Sequence, residues 1–259
     1  MTDFVKEFWE RQGEKYQDSH WASWGDHYMM DLEIDFISKM IQPNNRVLDA
    51  GCANGFSAFK QYEKNDSINI VGIDYSQNMI QHAKAVQQSN YKNCPIDFKV
   101  QNILELDFPD NHFDIAYTTR VLINLSNWTQ QQQAISELWR VVKPGGKLIL
   151  LEGFWEPLVL LNSLRALKDL QPLVEHDFNR YLKKNKLEAF LKEQRIHFQN
   201  HDYSSVYYLG SRFLRELLTN PADYEGYSNP INKLFYEIEK DFSGGGFGIQ
   251  QAYSLSVVK

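Results

Sequence analysis

A glycine turn and a carboxylate carry the first chemistry legible in this chain. Val47-Leu48-Asp49-Ala50-Gly51-Cys52-Ala53-Asn54-Gly55 follows the breaker cluster Pro43-Asn44-Asn45 and reads as a buried strand running into a loop. Glycine at 51 and 55 permits torsions and close approaches that a side chain blocks, so a ligand can lie against bare backbone. A second strand, Ile68 to Ile73, ends in Asp74 at the distance one βαβ unit requires, where a carboxylate can accept from both ribose hydroxyls. Together these describe a nucleoside-binding half-fold. The spacing also separates cofactors. A dinucleotide fingerprint needs glycine or alanine where this chain has Phe56, to let helix pack on strand and present amides to pyrophosphate. No G-x-x-x-x-G-K-[ST] string supplies a phosphate loop.

Val47 to Gly55 resembles motif I of the class I S-adenosylmethionine-dependent methyltransferases, and Val71-Gly72-Ile73-Asp74-Tyr75-Ser76 resembles their second motif. Leu138-Trp139-Arg140-Val141-Val142-Lys143-Pro144-Gly145-Gly146-Lys147-Leu148 matches the L-x-P-G-G turn that precedes the family's fifth strand. The resemblance is good over roughly residues 35 to 152 and loose elsewhere, with Ala53 where the family more often has glycine. It implies S-adenosyl-L-methionine as methyl donor, S-adenosyl-L-homocysteine as product and no metal. It also implies that Gly51, Cys52, Ala53, Gly55, Asp74, Tyr75, Met79 and Thr119 surround the donor. Relatives commonly hold adenine with an acidic residue followed by an apolar one. Here Asn102 and Ile103 take those places, and an amide oxygen can still accept from the exocyclic amine.

Methyl transfer from a sulfonium gains from excluded water and a fixed line of approach, and an aromatic lid provides both. The segment from Tyr16 to Tyr28 suits that role, with Tyr16, Ser23 and Trp24 toward the donor and His20 or His27 toward the acceptor. An ordered loop whose rings pack on the domain is the alternative. Arg120, after the fourth strand, can hold a carboxylate or phosphate of the acceptor or sit in a salt bridge. Glu152, ending the fifth strand over the crevice, can orient or deprotonate an acceptor hydroxyl, or cap a helix. His201, Tyr207 and Arg212 are further acceptor-side candidates. Cys52 is a turn packer before it is a nucleophile.

The elements that must position these groups follow from periodicity. Residues 3 to 17 carry Phe4, Val5, Phe8 and Trp9 at helical spacing, with Gly13 weakening the end. A helix through Met30, Ile34, Ile37 and Ile41 leads to strand one. Helices follow over Phe56 to Tyr62 and Gln77 to Gln88, the latter capped by Ser76. Strands are expected at Ile96–Val100, Phe113–Tyr117, Lys147–Leu151, Ile196–Asp202 and Gln250–Val258, and a helix at Ile231–Phe242. The stretch from Gly153 to Lys192 reads as mostly helical. The prediction is an α/β fold: a mostly parallel, seven-stranded, doubly wound sheet with an antiparallel last strand. An N-terminal helical lid and a helical insertion after strand five complete it. One domain covers 1–259, comprising a lid segment (1–34), a cofactor core (35–152) and an acceptor-pocket insertion with closing strands (153–259).

At 259 residues the chain suits one well-cored domain, and a net charge of -6 disfavours a broad grip on nucleic acid. Two cysteines build no disulfide framework, and no apolar run approaches a bilayer's ~20 residues, so a cytoplasmic location without membrane contact is expected. The reaction expected is methylation of oxygen or nitrogen on a small polar acceptor. Arg120, Arg180 and Arg212 offer that acceptor an anionic handle, as for a phosphorylated or nucleotide-linked metabolite of a surface-glycan or secondary pathway. The sequence does not specify an oligomeric state. Two rivals stand beside this: a module that binds the donor without catalysis, and an RNA methyltransferase.

Overall fold

The computed structural model describes residues 3–16 and 24–258. Seven strands form one sheet in the order β3-β2-β1-β4-β5-β7-β6. They are β1 (Arg46–Ala50), β2 (Asn69–Asp74), β3 (Ile96–Val100), β4 (Phe113–Thr119), β5 (Val142–Gly153), β6 (His197–His201) and β7 (Gln250–Ser256). β7 pairs antiparallel with both β5 and β6, while β1 to β5 pair in parallel, as the sequence predicts. The central strands read as continuous apolar runs because both faces are covered. Leu48, Ala116, Leu148 and Leu150 enter one core, while Val47, Ile115, Tyr117, Ile149 and Leu151 enter the other.

Among the described residues ten α-helices pack around the sheet, and several begin on side-chain caps. Asp26 accepts from Met29 N at 3.2 Å to start α2 (His27–Ser38), and Ser76 accepts from Met79 N at 3.2 Å to start α4 (Gln77–Asn90). Preceding or between these lie α1 (Asp3–Tyr16) and α3 (Phe56–Lys64). Asn127 caps α5 (Trp128–Val141). Beyond β5 come α6 (Trp155–Ala166) and α7 (Lys184–Glu193).

The stretch after strand five is less helical than periodicity suggests. Between α6 and α7 the chain folds back without a helix, because Asn162 grips Leu173 through both its amide ends, at 2.8 and 2.9 Å. A second excursion separates β6 from β7; its last helix is the one expected at Ile231–Phe242, while the helical turns before it carry no clear signal in the sequence. Its α8 (Ser205–Leu209) continues through a wide π-type turn (Gly210–Leu214) into α9 (Arg215–Leu218), and α10 (Pro230–Asp241) packs against it. Residues 205–212, which include the acceptor-side candidates Tyr207 and Arg212, are therefore helical. Among the described residues no helix is long and apolar enough to cross a membrane.

Candidate active site

The sheet order reverses between β1 and β4, which opens a crevice at their carboxyl ends. A cleft of about 780 Å³ lies there, lined by Gly51, Ala53, Asp74, Tyr75, Met79, Asn102, Ile103 and Thr119 among others. Gly51 has φ +87°, and a β-carbon on it would stand 2.2 Å from Val121. Glycine is thus required twice, by torsion and by the close approach of the loop after β4. Asp74 accepts from Ala53 N at 3.0 Å and from Ser76 N at 2.8 Å, one bond on each oxygen. With the Tyr75 amide also acting on it, the carboxylate still keeps acceptor capacity for a ligand hydroxyl. Burial pushes this carboxyl up to about 6 against the pull of those amides. Asp49, beneath the turn and fully buried, is pushed up to about 7 by the same cause.

The loop after β4 is held from below. Glu152 receives Thr118 Oγ1 at 2.7 Å and the amides of Val121, Leu122 and Ile123 at 3.1, 3.1 and 3.4 Å. It is fully buried and raised to about 7. Glu152 therefore shapes the site as a clamp. This corrects its placing over the crevice as an acid or base, since it lines neither this cleft nor the chamber beside it.

Arg120 leaves that loop with φ +58° and forms an ion pair with Glu33 of α2. Its guanidinium also stacks on Trp24, 4.4 Å from the ring centroid. The salt-bridge alternative is the one realised.

α1 closes the cleft from above. Glu10 accepts from Gln77 N and Asn78 N at 3.0 and 3.2 Å, so an α1 carboxylate caps α4 and meets its positive end. Lys6 lies 5.1 Å from the Tyr75 ring, and both Lys6 and Trp9 line the cleft. A β-carbon on Gly13 would stand 3.3 Å from Asn78 Cβ and 3.5 Å from Met79 N. Gly13 thus permits the helix crossing instead of ending a helix. Gly13→Leu is expected to lift α1 and weaken S-adenosylhomocysteine binding about tenfold, with Gly13→Ala near wild type. Calorimetry checks this, and unchanged affinity in the leucine variant contradicts it.

A second chamber of about 1070 Å³ adjoins the cleft, and Trp9, Arg120 and Asn124 line both. Its other walls include Phe8, Trp24, Phe178, Tyr181, Tyr208 and Arg212. Phe8 and Phe178 pack at 4.6 Å between centroids, joining α1 to the segment before α7. Arg212 donates to Asp26 at 2.5 Å and lies 5.0 Å from the Tyr227 ring.

Other residues singled out in the sequence take varied places. Trp24 lines the chamber and not the cleft, and Tyr16 ends α1 away from both. Cys52 faces a small recess shared with Gly51 and Ala53, and Gly55 packs against Phe98. His27 is exposed on α2, its ring tilted 39° against that of Tyr28 with 4.0 Å between centroids, because its helix begins there and turns its inner face elsewhere. Tyr207 is buried with its hydroxyl donating to Asp26 at 2.6 Å, and His201 pairs with Ser254 at 2.9 Å. Asn102 Oδ1 already accepts from Leu104 N at 3.1 Å, leaving one lone pair for a base. His20 and Ser23 lie outside the described residues. Lys6, Trp9, Glu10, Glu33 and Asn179 went unnoticed as site residues. The spacing of Phe4, Phe8 and Trp9 signals an amphipathic helix but not what it covers. Among the described residues no group of three or more His, Cys, Asp or Glu could hold a metal.

Comparison with known proteins accords with this geometry. A family model described as a methyltransferase domain matches residues 41–202. Phosphoethanolamine N-methyltransferase 1 of Arabidopsis thaliana is 32% identical over 122 residues, covering 47% of this chain and 24% of that protein. The 2-phytyl-1,4-naphtoquinone methyltransferase of Nostoc sp. is 31% identical over 155 residues, covering 59% of this chain and 66% of that one. The chain thus spans less than two thirds of the length of these relatives. In fold it is similar to geranyl diphosphate C-methyltransferase from Streptomyces coelicolor A3(2), solved with S-adenosyl-L-homocysteine. That likeness has a TM-score of 0.58 at 14% identity, over 90% of this chain and 80% of that one.

Proposed function

The chain belongs to the methyltransferase-domain family, and from that premise we propose that it transfers a methyl group from S-adenosylmethionine to oxygen or nitrogen of a small polar acceptor. The observation that carries this reading is the pair of cavities meeting at Trp9, Arg120 and Asn124, one of them built on the glycine turn and Asp74. The cleft's lining suits the donor chemically. A carboxylate with free lone pairs matches a ribose diol, and Met79 with Ile103 offers an apolar slot for a purine.

The donor supplies an electrophilic methyl on a sulfonium whose leaving thioether is neutral, so the chain needs no strong acid. An acceptor lone pair forms the new bond to the methyl carbon as the carbon–sulfur bond breaks, and the acceptor's proton is released. Trp9 and Trp24 exclude water around the junction, while the Glu152 clamp fixes the loop that carries Arg120 and Asn124. Holding two reactants in line can supply about 7–11 kcal/mol of the barrier.

Phosphorylated and nucleotide-linked acceptors find less support than the sequence suggests. Arg120 and Arg212 are each paired with a carboxylate, and Arg180 is outside the chamber wall. Incubation with isotopically labelled donor and a metabolite extract tests the proposal. A labelled small-molecule product is expected. Tight donor binding with no product from any acceptor would favour the non-catalytic module, and salt-sensitive labelling of RNA would favour the nucleic-acid reading.

A further inference from the structure

α1 is the one wall of the cleft that the sheet does not build. Among the described residues, every lining residue other than Lys6 and Trp9 sits at the carboxyl end of a strand, in the loop after it, or on α4. α1 is also lightly held. Val5 is its one buried side chain among those described, with Gly13 buried at the crossing, whereas α2 buries Met29, Met30, Leu32, Glu33, Ile34 and Ile37. Elements with so few buried apolar contacts open at the low end of a protein's range of local stabilities.

What docks α1 on the donor side is polar. Four successive amides at the start of α4 are each taken by a side chain. Ser76 N donates to Asp74 at 2.8 Å and Met79 N to Ser76 Oγ at 3.2 Å, while the two between them, Gln77 N and Asn78 N, both donate to the single carboxylate of Glu10. Gln77 is exposed and Asn78 half-buried, so water can take over these two amides when Glu10 leaves. Undocking therefore strands no buried donor, which makes both positions of α1 accessible. On its other side α1 leans on Phe178, through Phe8 at 4.6 Å and Phe4 at 6.3 Å between ring centroids. A donor lying on Asp74 beneath Trp9 has α1 as its roof, and it leaves when that roof lifts.

We infer that α1 is the gate through which the donor is exchanged, and that Glu10, which lines neither cavity, is its latch. Glu10 is thus a positioning residue: by returning α1 to the α4 amides it sets how long the donor stays bound. This rests on the reading above that the cleft takes S-adenosylmethionine.

Stopped-flow displacement of S-adenosylhomocysteine tests it. Glu10→Ala should dissociate the ligand about tenfold faster than wild type or more, as expected for lost hydrogen bonds to a charged group, with association no slower. Glu10→Gln, which keeps one acceptor oxygen, should fall between. Phe178→Ala removes the support on the far side of α1, outside the cleft, and should speed dissociation as well. In the wild type, hydrogen exchange of the α1 amides should be faster than that of α2 and should slow when S-adenosylhomocysteine saturates the protein. An unchanged dissociation rate in Glu10→Ala, or α1 exchange that ignores the ligand, would overturn the inference. So would slower association in Glu10→Ala, which would make Glu10 part of the cleft's shape, or an unaltered Phe178→Ala, which would confine Glu10 to the α4 amides and to Asp74, whose carboxyl feels its charge. Failure of S-adenosylhomocysteine to bind the wild type at all would instead overturn the methyltransferase reading beneath it.

Discussion

Arg120→Met is expected to lower the melting temperature by roughly 6–20 °C, an effect far larger than loss of a surface arginine. Glu33 is 5% exposed and Arg120 15%, so removing the cation strands a buried carboxylate. Breaking such a pair from one side costs about 3–5 kcal/mol, and a chain of this size shifts by about 2–4 °C per kcal/mol. Replacing both partners, in Arg120→Met/Glu33→Leu, should restore most of the melting temperature, since apolar groups of similar volume substitute for a buried pair without penalty. The double variant should remain inactive, because Arg120 lines both cavities. Burial already raises the Glu33 carboxyl, and Arg120 opposes that rise. Without Arg120 the folded carboxyl rises further above its unfolded value, so the variant's stability is retained at acid pH and lost as pH climbs through that raised value. Melting curves at pH 5 and pH 8 separate the two. A single variant within about 2 °C of wild type at both would show that the pair does not hold α2 against the β4 loop.

Asp74→Asn is expected to weaken S-adenosylhomocysteine binding by about 10- to 150-fold, the worth of about 1.5–3 kcal/mol for hydrogen bonds to a charged group. Only a carboxylate offers acceptor lone pairs on both sides, and Ala53 N and Ser76 N already use one on each oxygen. An asparagine would turn one end into a donor facing a donor. The pH dependence follows. Burial raises the folded carboxyl from 3.8 to about 6. Its contribution to the stability of the ligand-free fold is therefore greatest below pH 3.8 and lost as pH rises through 6. Affinity moves oppositely, because ribose hydroxyls need the ionised form: it should rise through pH 6 and level off above. Calorimetry across pH 5 to 8 should show that rise in wild type and a flat line in Asp74→Asn. Parallel profiles would mean that another group, such as the deeper Asp49, controls the cleft.

The sheet was legible because each of its strands carries a local signal: apolar runs bounded by breakers, and motif turns whose glycines have one physical use. Gly51, Asp74, Met79 and Ile103 line the cleft for the same reason, since strand ends and the turns after them fix where they stand. What sequence could not convey was pairing at a distance. Nothing local to Arg120 announces Glu33, 87 positions earlier, and nothing near Glu152 announces three amides of another loop. Gly13 looked like a helix breaker because its reason, the crossing of α4, lies elsewhere in the chain. The chamber is the extreme case: its walls come from α1, the β4 loop, the segment before α7, the α8 excursion and the start of β7.

The most direct test of two reactant sites meeting at one wall is a crystal structure of the protein with S-adenosylhomocysteine. The ribose should lie on Asp74, the base between Met79 and Ile103, and the sulfur beside Trp9, Arg120 and Asn124 with its open side toward the aromatic chamber. A nucleoside bound elsewhere, or a sulfur turned away from that chamber, would contradict the account.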